Sequence, residues 1–279
     1  MFKCCIHYQL YVIISGRIGF VLGGKEKMKL LCSDFDGTFG YKGVDDEKRQ
    51  AISKWRSHGN VFALVSGRNI NSLISLQRKY SFDCDYLLAH NGAVVAKGDG
   101  TVISSVEFEG DIAFSILKQL FENGCLYAYI GTELTGVVYA NKSDCDGEGK
   151  YSLGDLPQIN RLTQICAVCQ DTKTGQNLYN SLQERFGDVV NPIHCGRYIY
   201  IVKAAMNKAK GIYNLIEHLG LKHEDVIVVG DNLNDKDMIK AFRSYAMENG
   251  VDEIKNLADD ITNGVAELIT KELVYLDMR

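Results

Sequence analysis

The sequence carries no excess of positive charge. Its 279 residues include 31 Lys and Arg against 35 Asp and Glu, which gives a net charge of −4. A general nucleic-acid-binding protein needs a basic face, so this class of function is not expected. We therefore expect no nucleic acid among the partners of this protein, and no feature of the sequence points to an obligate protein partner.

The sequence also lacks an uninterrupted apolar run of the roughly 20 residues that a membrane-spanning helix needs. The apolar stretch 4–16 is ended by Arg17, and its only preceding basic residue is Lys3, too little for a signal peptide. We therefore expect no association with a membrane. Because residues 1–27 do not fit the rest of the chain, we expect a non-native or disordered extension, with Met28 as the natural start.

Cysteines are present, but they show no disulfide pattern. Nine of them are scattered through a chain that is long enough to bury a core without cross-links. Cys166 and Cys169 have the spacing of a metal or redox pair, yet they lie in an apolar segment, where thiols serve as small hydrophobic side chains. This usage indicates a reducing compartment, and we expect a cytoplasmic protein.

Internal repeats and low-complexity linkers are absent, and prolines number only two. What the chain does contain is 46% hydrophobic and 24% charged residues, the composition of an ordinary globular protein. Its length exceeds one average domain and allows two.

Apolar runs of strand length alternate with amphipathic helical patterns in β-α-β-α-β order. This order is typical of a parallel sheet with right-handed crossovers. We predict an α/β fold built on a doubly wound parallel sheet of order 3-2-1-4-5, with the switch point between the first and fourth strands. The predicted strands are residues 29–33, 61–65, 86–89, 226–229 and 244–247.

The pattern changes between residues 94 and 198. Strand-like runs and two helical stretches there suggest an α+β domain inserted into the first, and residues 144–154 are predicted to be a mobile loop. The predicted domains are therefore a core of residues 28–93 and 199–279 and an insertion of residues 94–198. Within the insertion, the predicted strands are residues 102–108, 126–130, 136–140 and 165–169, and the predicted helices are 112–121 and 175–186.

Two carboxylates and a glycine follow the first predicted strand. Asp34 and Asp36 are spaced i, i+2, and Gly37 lets the chain turn sharply after them. Such a turn also occurs without any function, because Asp and Gly are ordinary turn residues. In an open parallel sheet, however, the carboxyl ends of the strands border the crevice where ligands bind.

Two more predicted strands end in polar residues that would face the same crevice. The second strand is followed by Ser66, Gly67 and Arg68, and the fourth by the segment Gly230–Asp235. Lys208 begins the helical pattern that precedes the fourth strand. Taken singly, these features could be a strand-to-helix turn and a solvated lysine.

Taken together and in this order, the segments resemble the four motifs of the haloacid dehalogenase (HAD) superfamily, in the branch of Cof-like sugar-phosphate phosphatases. The resemblance covers residues 28–279, and the run 206–211 looks like the third motif, which favours Lys208 over the neighbouring Lys203 and Lys210. In this branch an α/β cap lies between the second and third motifs of a HAD-like core. That position matches the predicted insertion.

The aspartates of these motifs would meet in one crevice, where so many like charges cannot all stay ionised without a counter-ion. Ligation by oxygen alone favours Mg²⁺, since the histidine and thiol ligands typical of zinc are missing from the motifs. The resemblance implies that Mg²⁺ binds the carboxylates of Asp34 and Asp231 and the backbone carbonyl of Asp36. Asp235 would lie nearby, as an outer ligand or an orienting group.

The resemblance also implies a reaction. A small phosphorylated metabolite would be hydrolysed in two steps through an aspartyl phosphate, while Mg²⁺ and a lysine offset the repulsion between two negative reactants. The implied roles are nucleophile for Asp34, general acid and base for Asp36, charge compensation for Lys208, phosphoryl binding for Ser66 and the backbone amides of Gly67 and Gly37, and orientation of phosphate or Asp231 for Asn234.

Several alternatives stay open at this stage. A phosphomutase of the same superfamily would use the same motifs, and a phospho-accepting signalling module would share the sheet, the acidic cluster and the lysine. The inserted domain and Asp36 both argue against the signalling module. Arg68 and Asn69 could contact the substrate or simply begin a helix. Candidates for recognising the leaving group are Tyr127, Tyr129, Asn141 and the loop 144–154.

Overall fold

The computed structural model describes residues 12–14, 17–19, 28–131 and 136–277. Most of residues 1–27, for which an extension was predicted, lie outside the described residues. Within that stretch the structure describes two short antiparallel strands. The strands are β1 (Val12–Ile14), β2 (Arg17–Gly19), β3 (Leu30–Ser33), β4 (Val61–Val65), β5 (Tyr86–Ala89), β6 (Val94–Lys97), β7 (Val102–Ser105), β8 (Phe108–Glu109), β9 (Cys125–Gly131), β10 (Gly136–Tyr139), β11 (Lys150–Ser152), β12 (Arg161–Leu162), β13 (Gln164–Cys169), β14 (Val190–Cys195), β15 (Tyr198–Lys203), β16 (Val226–Gly230), β17 (Arg243–Met247) and β18 (Asp260–Thr262). The α-helices are α1 (Asp46–Ser57), α2 (Ile70–Tyr80), α3 (Gly110–Glu122), α4 (Thr172–Phe186), α5 (Lys208–Leu219), α6 (Lys236–Ala241), α7 (Asp252–Leu257) and α8 (Val265–Asp277).

The main sheet has the strand order β18-β17-β16-β3-β4-β5-β6-β7. Strands β18 to β5 run parallel, whereas β6 and β7 form an antiparallel hairpin at one edge. The five predicted strands correspond to β3, β4, β5, β16 and β17, so the predicted order 3-2-1-4-5 is confirmed. Strands β3, β4 and β16 are buried along their whole length, which explains why they are continuous apolar runs.

Helices cover both faces of the main sheet. On one face, α1, α2 and α8 contribute Trp55, Leu73 and Leu268 to a core shared with the strands. On the other face, α5 and α6 contribute Ile212 and Ile239 to a second core. Full burial of one such side chain stabilises the fold by about 1.5–3 kcal/mol, so the amphipathic helices are held to the sheet mainly by these contacts.

The inserted sheet has the strand order β11-β10-β9-β13-β15-β14 and is antiparallel except for the β10–β11 pair. Helices α3 and α4 pack on one of its faces through Ile116, Leu120, Leu178 and Leu182. This arrangement confirms the predicted α+β insertion. The loop predicted at 144–154 contains β11, which pairs with β10 at the edge of the sheet.

The predicted domain boundaries do not coincide with the change of sheet. Strands β6 and β7, predicted to lie in the insertion, continue the main sheet, because the chain turns back after Lys97 and pairs with β5. At the other end, residues 199–202 were expected to return to the core, but β15 pairs with β13 and β14 in the inserted sheet. Apolar patterns predict strands without identifying their partners, so they could not assign these strands to one sheet or the other.

Capping residues fix where the helices begin. The side chain of Asp45 accepts a hydrogen bond of 3.0 Å from the Lys48 amide at the start of α1. In the same way, Asn207 accepts a bond of 2.8 Å from the Lys210 amide, so α5 begins at Lys208. This cap places Lys208 at the helix end that faces the crevice. In the part of the chain described above, no helix is both long and apolar enough to cross a membrane.

Candidate active site

Three buried carboxylates meet at the carboxyl ends of β3 and β16. These strands are neighbours in register, with Ser33 paired to Val229, so the residues that follow them leave the sheet side by side. As a result, oxygens of Asp34, Asp231 and Asp235 all lie within 4.8 Å of one another. The convergence predicted from the sequence is thus present for these three aspartates.

A buried lysine lies against two of the three carboxylates. The Nζ atom of Lys208 is 2.6 Å from Asp34 Oδ1 and 2.5 Å from Asp235 Oδ1, and its side chain is fully buried. Burial by itself lowers the pKa of Lys208, but the charges of Asp235 and Asp34 outweigh burial and raise the pKa above its ordinary value. The lysine is therefore a fixed positive charge.

Both carboxylate oxygens of Asp235 accept hydrogen bonds from groups of the protein. Its Oδ1 accepts from Lys208, while its Oδ2 accepts from the backbone amides of Asp231 at 2.9 Å and Asn232 at 3.0 Å. The carboxylate packs against Gly230, where a Cβ would lie 2.5 Å from Asp235 Cγ. With both oxygens engaged, Asp235 orients the loop and the lysine.

Asp231 is fixed by the loop that follows β3. Thr38 donates a hydrogen bond of 2.7 Å to Asp231 Oδ1. Gly37 has φ +89°, and a Cβ at this position would lie 2.3 Å from Asp231 Oδ2, so only glycine fits here. The carbonyl oxygen of Gly37 accepts from Asn249 at 2.9 Å. Burial, followed by the nearby charge of Asp235, raises the pKa of Asp231 to about 6.

One oxygen of Asp34 remains unpaired. Asp34 Oδ2 is buried and has no hydrogen-bond partner among the residues that the structure describes. Burial is the main cause that raises the pKa of Asp34 well above its ordinary value, although the charge of Lys208 opposes it. Three buried carboxylates beside one lysine leave an excess of negative charge. An all-oxygen site of this kind fits Mg²⁺.

Asp36 does not join this cluster. Its carboxylate forms two bonds with the guanidinium of Arg68, at 2.7 and 2.8 Å, and about half of its side chain is exposed. The side chain of Asp36 lines the same cavity as Asp34, but its ion pair with Arg68 keeps it apart from the three buried carboxylates. Asn69 caps α2 through Ser72, with a bond of 2.8 Å.

Ser66 and Gly67 lie at the end of β4, next to the cluster along the sheet. Ser66 is buried, and its Oγ accepts a bond of 3.2 Å from the Arg68 amide. Gly67 is covered by the inserted sheet: its carbonyl accepts from Gln164 Nε2 at 2.8 Å, and a Cβ on it would lie 2.9 Å from the ring of Tyr200. Both residues therefore line the crevice.

A cavity of about 1020 Å³ separates the two sheets above this cluster. Asn234 lines it and donates a bond of 3.3 Å to Asn91. Of the predicted candidates for leaving-group recognition, Tyr129 lines the cavity, whereas Tyr127, Asn141 and residues 144–154 are not among its lining residues. Besides Tyr129, the inserted sheet contributes Cys166, Cys195, Tyr198 and Tyr200 to the lining of the cavity.

Residues 31–268 match the family of haloacid dehalogenase-like hydrolases. The chain belongs to this family. The match includes every motif that carries the predicted site, and the predicted family and hydrolase class are thus confirmed.

Two curated relatives extend the comparison. This HAD-like hydrolase is 24% identical over 277 residues to a Streptococcus pyogenes protein described as a bifunctional phosphatase/peptidyl-prolyl cis-trans isomerase, which covers 90% of the chain and 56% of the relative. The chain thus spans little more than half the length of that relative. An HMP-PP phosphatase of Escherichia fergusonii is 22% identical over 243 residues, which are 81% of the chain and 86% of the relative.

Solved structures show the same fold. A HAD/COF-like hydrolase from Plasmodium vivax superposes with a TM-score of 0.74 at 22% identity, covering 92% of this chain and 98% of its own. A HAD subclass IIB sugar phosphatase superposes with a TM-score of 0.71 at 18% identity, covering 88% and 98%. These similarities confirm the predicted Cof-like architecture of a HAD core with an inserted cap.

Several residues of the site were missed from the sequence. Thr38 ends the first motif and could have been given a role on that ground. Asn249 and Gln164 carry no such signal, because each is an isolated polar residue whose contact with the site depends on how distant segments pack. Tyr200 is likewise without a signal in the sequence, because its contact with Gly67 depends on how the inserted sheet packs.

Proposed function

We propose that this HAD-like hydrolase is a Mg²⁺-dependent phosphatase that hydrolyses small phosphomonoesters, sugar phosphates among them. The observation that carries the proposal is the unpaired Oδ2 of Asp34, which lies beside Lys208 and Asp231. A buried carboxylate oxygen without a donor is left open to a metal ion or to an electrophile. The relatives named as phosphatases support this assignment.

Asp34, Asp231 and the backbone carbonyl of Asp36 would hold Mg²⁺, which when bound neutralises charge on the phosphoryl oxygens. Asp235 would orient this set from behind, because its own oxygens are already occupied by Lys208 and two backbone amides. The Nζ atom of Lys208 stabilises the ionised form of Asp34. It also offers positive charge where the phosphoryl group would enter.

The reaction proceeds in two steps. Asp34 Oδ2 attacks phosphorus, the bond from phosphorus to the leaving oxygen breaks, and the protonated form of Asp36 gives that oxygen its proton. Asp36 then removes a proton from water, whose oxygen attacks the phosphorus of the aspartyl phosphate, so that inorganic phosphate leaves and the Asp34 carboxylate is restored. The Ser66 hydroxyl and the amides of Gly67 and Gly37 would bind phosphoryl oxygens. Positioned acid–base catalysis of this kind contributes about 10²–10⁴-fold.

A substrate panel tests the proposal. The wild-type protein, Asp34→Asn and the exposed control Asp111→Asn are assayed with sugar phosphates and other phosphomonoesters, with Mg²⁺ and with EDTA. We expect release of inorganic phosphate by the wild type and by Asp111→Asn only with Mg²⁺, and none by Asp34→Asn.

Two other outcomes would replace the proposal. Isomerised sugar phosphate with little free phosphate would identify a phosphomutase, and a phosphorylated protein that persists for minutes without turnover would identify a signalling module. Turnover by Asp34→Asn at the wild-type rate would remove Asp34 from the mechanism.

A further inference from the structure

One buried side chain of the inserted sheet reaches into the loop that follows β4. Gln164, the first residue of β13, is 4% exposed, and its Nε2 donates a bond of 2.8 Å to the carbonyl oxygen of Gly67. Its Oε1 accepts a bond of 2.9 Å from Asn91 Nδ2. Both ends of the amide are therefore fixed, because turning it over would break both bonds.

The partner of Gln164 is fixed as firmly. Asn91 is fully buried, and its backbone amide donates a bond of 2.8 Å to the carbonyl oxygen of Ser66. Asn234, in the loop after β16, donates a bond of 3.3 Å to Asn91 Oδ1. A chain of three side-chain amides thus joins the inserted sheet, the segment that leads into β6, and the loops after β4 and β16.

The bond from Gln164 acts on a single peptide group. The peptide between Gly67 and Arg68 presents its carbonyl to Gln164, and its N–H donates a bond of 3.2 Å to Ser66 Oγ. Because Ser66 Oγ accepts this N–H, its own proton is left free to be donated elsewhere. Bonds in such a chain polarise one another, so loss of the first weakens the second.

The position next to Gln164 serves as an internal comparison. Thr163 also ties the inserted sheet to the main sheet, through a contact of 2.7 Å between its Oγ1 and His90 Nδ1. Thr163 makes no hydrogen bond to Gly67 or Ser66 among those that the structure gives. Loss of the Thr163 side chain would weaken the contact between the inserted sheet and the main sheet in general. Loss of the Gln164 side chain would release one peptide, between Gly67 and Arg68, in the loop after β4.

We propose that Gln164 is a positioning residue that orients the Ser66 hydroxyl toward the phosphoryl group by holding the Gly67 carbonyl. The proposal rests on the proposed function, in which Ser66 binds a phosphoryl oxygen. It follows that the loop after β4 orients the Ser66 hydroxyl correctly only while the inserted sheet is packed against it. Packing of the inserted sheet onto the main sheet and orientation of Ser66 for phosphoryl binding then occur together.

The test compares Gln164→Met, which keeps the length of the side chain and removes its donor, with two other variants. Gln176→Met is the matched control, because Gln176 is exposed on α4 and, among the residues that the structure describes, its side chain bonds only to Asn180. Thr163→Val is the control for a general weakening of the contact between the two sheets. Each protein is measured for kcat and KM with a phosphomonoester that the wild type hydrolyses, for its thermal midpoint, and for hydrogen exchange of the amides of residues 66–69.

We expect Gln164→Met to lose on the order of ten- to a hundredfold in kcat/KM, mostly in kcat, because small displacements of positioning groups have effects of this size. Exchange of the Arg68 amide should become faster, while the thermal midpoint stays close to that of the wild type. Gln176→Met should match the wild type in all three measurements. Thr163→Val should lower the thermal midpoint without faster exchange at Arg68.

Unchanged kinetics and exchange in Gln164→Met would overturn the proposal, as would an equal loss of kcat in Thr163→Val. A wild-type protein that hydrolysed no phosphomonoester would defeat the proposed function instead. In that case the exchange measurement alone would decide whether Gln164 holds the loop, and unchanged exchange at Arg68 would overturn the present proposal as well.

Discussion

The carboxylate of Asp36 and the guanidinium of Arg68 form a two-point ion pair, with N···O distances of 2.7 and 2.8 Å. Arg68 also donates a bond of 3.2 Å to Ser72 Oγ. The pair holds the proposed general acid at the edge of the crevice, away from the buried carboxylates.

The first prediction concerns this pair. Arg68→Met should lower kcat about tenfold, because Asp36 then loses its fixed position and positioned acid–base catalysis depends on geometry. Steady-state kinetics with one phosphomonoester checks this, with Arg78→Met on the exposed side of α2 as the control. A higher KM with unchanged kcat would instead assign Arg68 to substrate binding.

The second prediction concerns Gly37. Gly37 and Gly43 have φ values of +89° and +87°, so alanine at either position carries similar backbone strain. Only at Gly37 would the added methyl group collide, with the carboxylate of Asp231. Gly37→Ala should weaken Mg²⁺ binding on the order of a hundredfold and lower activity in proportion, whereas Gly43→Ala should cost only about 1 kcal/mol of stability.

Titration calorimetry with Mg²⁺ and denaturant unfolding of both variants separate the two effects. Equal Mg²⁺ affinities in Gly37→Ala and Gly43→Ala would mean that Asp231 takes no part in binding the metal.

The third prediction concerns Lys208. Lys208→Met leaves Asp34 and Asp235 buried without their counter-ion, so the free energy of unfolding should fall by about 3–5 kcal/mol in EDTA. Added Mg²⁺ should restore part of this loss, because it supplies positive charge to the same carboxylates. Lys210→Met, which removes an exposed lysine two residues away, is the control for urea unfolding. Equal stabilities of the two variants in EDTA would contradict the role given to Lys208.

The fourth prediction concerns pH and His90. Burial lowers the pKa of His90 to about 4, from an ordinary value of 6.5. Above pH 6.5 the imidazole is neutral in both the folded and the unfolded chain, so it has no effect on stability. As the pH falls from 6.5 towards 4, only the unfolded chain takes up the proton, so the folded state loses stability, by about 2 kcal/mol at pH 5.

Urea unfolding at pH 7.5 and pH 5 checks this expectation. His90→Gln should lose about 2 kcal/mol less than the wild type over that interval, although it is less stable at both pH values because the contact with Thr163 is altered. His58→Gln, at a half-buried site after α1, controls for the substitution itself.

Much of the catalytic core was predictable from local patterns. The parallel strands are buried on both faces and therefore appear as apolar runs, and the polar residues that follow them lie at the carboxyl edge of the sheet. For this reason Asp34, Asp231 and Ser66 could be named as neighbours before any pairing was known. The same patterns placed Lys208 at the start of a helix, because the helical pattern begins there.

The sequence by itself determined which segments form strands and helices and which residues stand at the ends of the central strands, since these depend on contacts local in the chain. Tertiary structure alone decided that β6 and β7 extend the main sheet, that Asp36 turns to Arg68, and that Gln164 reaches Gly67. Each of these contacts joins segments distant in the chain, and the periodicity of a segment records how it is buried but not which partner buries it.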